Sequence, residues 1–89
     1  MKKEPFVTKE MIEEIVKDYP TPFHIYDEKG IRENVKALYD AFSWNPGYKE
    51  YFAVKALPNP AVLKLLAGLG IGADCSSIAE LYLAEMAGI

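Results

Sequence analysis

The sequence has one cysteine, Cys75, and one histidine, His24, which excludes an intramolecular disulfide and offers no spacing for a zinc site. No apolar run approaches the ~20 residues that span a bilayer. No basic block is long enough to follow a phosphate backbone, since ten Lys and Arg stand against thirteen Asp and Glu, a net charge of −3. Membrane and nucleic acid are therefore not expected as partners. Lys2 and Lys3 are followed by Glu4, Glu10, Glu13 and Glu14, where a secretory signal needs an apolar core of about 7–15 residues. Together with the lone thiol, this predicts a cytoplasmic protein. What is present is ordinary: 89 residues, 51% apolar and 26% charged, the balance of a globular domain. A chain this short buries only about 60–65% of its unfolded surface, so it sits at the margin of independent stability.

Helical spacing of Met11, Ile12, Ile15, Val16 and Tyr19 after Thr8, a candidate N-cap, predicts a short amphipathic helix over residues 9–18, ended by Pro20 and Pro22. Phe23-His24-Ile25-Tyr26 has the aromatic and β-branched composition of a strand. Asp27 then offers a carboxylate to cap a helix carrying Ile31, Val35, Leu38 and Phe42 on one face. Trp44-Asn45-Pro46-Gly47 reads as a turn. Tyr51-Phe52-Ala53-Val54 is apolar throughout, as in a strand covered on both faces of a parallel sheet, and Lys55 ends it. Asn59-Pro60 opens a helix with Val62, Leu63, Leu66 and Ala67 inward; Gly68 and Gly70 close it. Gly72-Ala73-Asp74-Cys75 is a further strand, and Ser77-Ile78-Ala79-Glu80 is a capping box opening the last helix. From residue 49 the order is β-α-β-α, which implies parallel strands joined by right-handed crossovers. Periodicity leaves open sheet and closed barrel both standing, and two strands close no barrel, because a (β/α)₈ barrel takes about 250 residues.

Lys55 is the residue most worth chemical scrutiny. Period-two alternation puts it on the same strand face as Tyr51 and small Ala53, at the end that faces the active site if the sheet is a barrel. A desolvated ammonium there favours the neutral amine that attacks an aldehyde. A strand-end lysine that snorkels to water is the bland alternative. Asp74 ends the next strand, where its carboxylate either meets Lys55 at one mouth or caps the following helix. Glu80 reads as the capping-box partner, His24 as a partly buried structural residue, Cys75 as a small core residue, and Trp44, Tyr48, Tyr51 and Phe52 as one packed aromatic cluster around the turn.

Three blocks carry a family likeness. Tyr51-Phe52-Ala53-Val54-Lys55-Ala56-Leu57-Pro58-Asn59-Pro60 and Gly70-Ile71-Gly72-Ala73-Asp74-Cys75-Ser76-Ser77-Ile78-Ala79-Glu80-Leu81 resemble the signature of the pyridoxal-phosphate-dependent barrel decarboxylases of alanine-racemase-like fold. Thr21-Pro22-Phe23-His24-Ile25-Tyr26-Asp27 resembles that family's leading T-P-x-x-V-Y-D segment, and the likeness covers residues 21–89. It implies an α/β fold, the start of a (β/α)₈ TIM-type barrel that is incomplete in this chain. It divides the chain into residues 1–26, a helix and strand packing with a C-terminal β-domain, and residues 27–89, the first β/α units of the cofactor-binding barrel. It further implies pyridoxal 5'-phosphate as cofactor, held by Lys55 as an internal aldimine; Asp74, from its strand-end position, is the second catalytic candidate. The phosphate-cradling and pyridinium-binding groups are expected outside the chain. The activity implied is decarboxylation of a dibasic amino acid in a cytoplasmic homodimer. The Cys-Ser-Ser run and the leading segment are most similar to diaminopimelate decarboxylases, which make lysine; ornithine and arginine are the other substrates. Leu57, where many members have Asn, loosens the substrate assignment. A cofactor carrier or regulatory homologue without turnover is the rival reading. The 89-residue piece by itself is expected to be inactive, and unstable or associating.

Overall fold

The computed structural model describes residues 3–89, which fall into two compact units: the described residues up to Ile31, and Arg32–Ile89. The boundary lies inside the helix Glu28–Ala41.

In the first unit, helix α1 runs from Lys9 to Ile15, and Thr8 Oγ1 accepts from Met11 N at 3.1 Å as its cap. The helix is shorter than its spacing predicts. Beyond Ile15 the chain tightens, with Lys17 N donating to Glu14 O and Asp18 N to Ile15 O, both three residues back. The Thr21–Pro22 peptide is cis. The expected strand at Phe23–Tyr26 does not form: the segment belongs to no ladder. Its composition suits a strand, but pairing needs a second strand, and among the described residues none lies alongside. Asp27 does cap the second helix, α2 (Glu28–Ala41), accepting from Gly30 N at 3.0 Å. A Cβ at Gly30 would stand 2.5 Å from Asp27 Oδ2, so the bare glycine makes room for the folded-over carboxylate. No described residue of this unit is buried.

The second unit contains the core. Strands β1 (Tyr51–Ala53) and β2 (Gly72–Asp74) pair in parallel, with Tyr51 opposite Gly72 and Ala53 opposite Asp74. Helix α3 (Pro60–Gly68) crosses between them, and α4 (Ile78–Ala87) follows β2, as the apolar spacing predicts. Asn59 Oδ1 starts α3 by accepting from Ala61 N and Val62 N at 3.0 and 3.2 Å, and Pro60 stands in the first turn, where its missing donor costs nothing. Gly88, at φ 90°, closes α4 in the left-handed conformation. Val54 and Leu63 are fully buried against Ala87, and Phe52, Ala73 and Leu83 pack on them. Burying a side chain such as Leu63 contributes roughly 1.5–3 kcal/mol. Strand alternation then turns Tyr51, Ala53, Gly72 and Asp74 away from α3 and α4.

Tyr39, on α2, ties that helix to the strands. Its Oη accepts from Glu50 N at 3.2 Å, just before β1, and reaches Gly70 O, just before β2, at 3.4 Å. Tyr48 stacks on Phe42 at 4.5 Å and meets Tyr39 edge-on at 5.4 Å. The expected cluster of Trp44, Tyr48, Tyr51 and Phe52 is therefore split: Phe52 enters the core, Tyr51 lies on the opposite face, and Trp44 is 75% exposed, tilted against Phe42. Adjacent strand residues cannot share one cluster, since they point to opposite faces. Among the described residues no helix is long and apolar enough to cross a membrane.

Candidate functional site

Both candidate site residues emerge at the C-terminal end of the parallel ladder. β1 stops at Ala53, one residue earlier than its composition suggests, and Val54–Ala56 forms a single 3₁₀ turn. Lys55 thus lies on the turn and not on the strand, so the alternation that placed it on the face of Ala53 does not extend to it. Buried Val54 pins the turn from below, and Leu57 N donates to Val54 O at 3.1 Å, closing it. Lys55, between buried Val54 and exposed Ala56, is itself exposed. The desolvated setting expected for its ammonium is absent from the two-strand unit. Among the described residues it enters no ion pair.

Asp74 is the last residue of β2 and the register partner of Ala53, two residues before Lys55. It is exposed and takes no part in capping the helix that follows. That work falls to Ser77 and Glu80. Ser77 Oγ accepts from Glu80 N at 3.2 Å and donates to Glu80 Oε2 at 2.8 Å, while Glu80 Oε1 accepts from Ser76 N at 3.2 Å. The capping box forms with one change: the glutamate returns to the N–H of Ser76, one residue before the cap. Both Glu80 oxygens are occupied, and the Asp74 carboxylate is left to other uses.

Cys75 is half-buried between them. Burial pushes its thiol up, and the carboxylates of Glu80 and Asp74 push it further, so it is held in the unreactive protonated form. His24 is exposed, in contrast to the partly buried position expected, and lies against Tyr26 with ring centroids 6.3 Å apart. Among the described residues no group of three or more His, Cys, Asp or Glu side chains gathers to hold a metal ion. At the opposite end of the ladder, Tyr48 Oη donates to Glu50 Oε2 at 2.6 Å, and that carboxylate, helped by burial, pushes the phenol up to about 12. Sequence patterning did not reveal this pair or the Tyr39 bridge, because Tyr48 and Glu50 lie in the loop before β1 and the bridge joins a helix to the entrances of two strands.

The arrangement suits an aldehyde cofactor. An exposed primary amine stands on a turn whose flanking Val54 is immobilised, a carboxylate ends the neighbouring strand, and small Ala53 crowds neither.

Comparison with known proteins points to a pyridoxal cofactor. The pyridoxal binding domain of the pyridoxal-dependent decarboxylases matches residues 28–89. Protein TabA of Pseudomonas amygdali pv. tabaci is 50% identical over 78 residues, covering 88% of this chain and 18% of its own length. The diaminopimelate decarboxylase of Methanothermobacter thermautotrophicus is 42% identical over 76 residues, covering 84% of this chain and 18% of its own. That of Aquifex aeolicus is 41% identical over 86 residues, covering 97% and 20%. No solved structure matches. The chain spans about a fifth of the length of these curated relatives. On the match over residues 28–89, the chain belongs to the pyridoxal-dependent decarboxylases, whose cofactor is pyridoxal phosphate.

Proposed function

We propose that this chain is the N-terminal part of a longer pyridoxal-phosphate-dependent decarboxylase of a dibasic amino acid, converting meso-diaminopimelate to lysine, and that Lys55 holds the cofactor covalently through its Nζ. The observation that carries this reading is the exposed Lys55 amine at the C-terminal end of a parallel β-α-β unit, beside the end of the strand that bears Asp74. That is the end at which (β/α)₈ enzymes do their chemistry. The substrate choice is supported by the relatives named diaminopimelate decarboxylase.

Each residue has a distinct task in this reading. When bound, pyridoxal phosphate supplies an electron sink for the pair left behind as the α-carboxylate departs as carbon dioxide. Lys55 would hold the cofactor through its Nζ, its amine condensing with the aldehyde with loss of water, and the buried Val54 fixes the backbone from which that nitrogen reaches. Asp74 offers a carboxylate on the same rim as hydrogen-bond acceptor and counter-charge for the amine. Ser77 and Glu80 fix the start of α4, and with it the direction in which the Asp74 strand ends. The remaining β/α units complete the barrel, and a second protomer completes a homodimer.

The test uses the complete protein that carries this segment. Mixing it with pyridoxal phosphate should produce the absorption band of the lysine-bound cofactor, and Lys55→Ala should abolish it. An identical band in the variant rejects Lys55 as anchor. Product analysis with diaminopimelate, ornithine, lysine and arginine then assigns the substrate: carbon dioxide release from diaminopimelate alone is expected. Cofactor binding without turnover of any of them would leave a carrier or regulatory protein.

A further inference from the structure

The face of the ladder turned away from α3 and α4 holds a contact that the proposed chemistry has not used. Tyr51 and Gly72 are register partners on neighbouring strands, and the tyrosine ring lies across the glycine. A Cβ at Gly72 would stand 2.5 Å from Tyr51 Cδ1 and 2.6 Å from Cε1, closer than two carbons can approach. Gly72 is buried, with the Tyr51 ring lying against it. Tyr51 remains 56% exposed, and the Lys49 ammonium lies 5.6 Å from the ring centroid. The ring is thus held on one side by bare backbone and on another by a cation.

Along this face the order is bulky, then small, toward the C-terminal end of the ladder. Tyr51 and Gly72 form the lower row, Ala53 and Asp74 the next, about 7 Å further along at the usual strand rise. Lys55 follows on the turn. The aromatic fills the row furthest from the amine, and alanine leaves space in the row next to it. An unfilled lower row would let a flat cofactor settle deeper and carry its aldehyde carbon away from the amine. Displacements near 1 Å matter at this distance from the chemistry.

We infer that Tyr51 is a positioning residue for the cofactor at Lys55, that its ring sets the depth of the cofactor cavity, and that Gly72 lacks a side chain so that the ring can lie flat. This rests on the reading of Lys55 as anchor and adds to it a determinant of where the cofactor comes to rest.

In the complete protein, Tyr51→Ala, Gly72→Ala and the double variant are titrated with pyridoxal phosphate, and the Kd and the position of the bound absorption band are read. Each single variant should weaken retention by about tenfold and move the band. The double should be no worse than Tyr51→Ala, since without the ring the new Cβ meets nothing. Tyr51→Phe should behave as wild type, because the ring and not the hydroxyl fills the row. Wild-type Kd and band in Tyr51→Ala, or losses that simply add in the double, overturn the inference; so does a lower thermal midpoint with an unmoved band. If Tyr51→Ala does not accumulate folded, Tyr51→Leu is read in the same way, an intermediate Kd supporting the inference and a wild-type Kd overturning it. Lys55→Ala is measured alongside. Loss of the band there, together with wild-type behaviour of Tyr51→Ala, isolates failure of this inference from failure of the anchor assignment.

Discussion

The two units of this chain use the same local signals with different results. Thr8 caps α1 and Asn59 caps α3 with side-chain oxygens, and both helices carry apolar residues at helical spacing. Yet α1 buries nothing, while α3 buries Val62, Leu63 and Leu66. The difference is a partner. In the second unit the apolar stripe of α3 meets Val54 and α4, whereas the Met11, Ile12 and Val16 stripe of the first unit remains exposed. Capping and periodicity specify a helix; only a second surface converts it into stability.

The comparison is sharpened most by truncating one apolar side chain in each unit. Leu63→Ala removes a fully buried side chain and should cost about 2–5 kcal/mol. Ile12→Ala, at a site 39% exposed, should cost less than about 1 kcal/mol in this unit as it stands. Hydrogen exchange of each unit's backbone amides in the complete protein measures both. Equal losses of protection would break the contrast and show that α1 is covered by parts of the molecule outside these residues.

Cap removal comes next. Asn59→Ala leaves two amides at the start of α3 without their acceptor and should cost about 1 kcal/mol, read as a lower denaturation midpoint. Thr8→Ala removes one acceptor from a seven-residue helix that buries nothing and should change fraying of α1 without moving that midpoint.

The smallest effect is confined to alkaline pH and to the second unit. Tyr48 is raised from 10.0 to about 12 by the Glu50 carboxylate that accepts its proton. The folded chain therefore holds that proton more tightly than the unfolded chain. This contribution is fully present below pH 10 and is lost as pH rises toward about 12. Tyr48→Phe should flatten the fall in stability across that window, and an unchanged pH profile would show that the bond does not persist in solution.

How far these features were legible depended on how local their causes are. The β-α-β-α order, the Asn59 and Ser77 caps and the inward stripe of α3 follow from spacings of three and four residues, and all are present. Phe23–Tyr26 misled because a strand is defined by a neighbour that composition cannot supply. Apolar Val54 looks like a continuation of the strand and so predicts a strand-end position for Lys55. In the structure Val54 turns into the core and the chain bends at that residue. The likeness in residues 21–89 pointed to the cofactor, and the family match over residues 28–89 agrees. The contact of Tyr51 with Gly72 was invisible, since it depends on the register between strands separated by a helix.

The central claim is that the Lys55 amine is the covalent attachment point of the cofactor. Borohydride reduction of the complete protein loaded with pyridoxal phosphate, followed by peptide mass spectrometry, tests it directly. A single pyridoxyl adduct is expected on the tryptic peptide spanning Glu50 to Lys64, located on Lys55. An adduct on Lys49, Lys64 or a lysine outside this segment, with Lys55 unmodified, would contradict it.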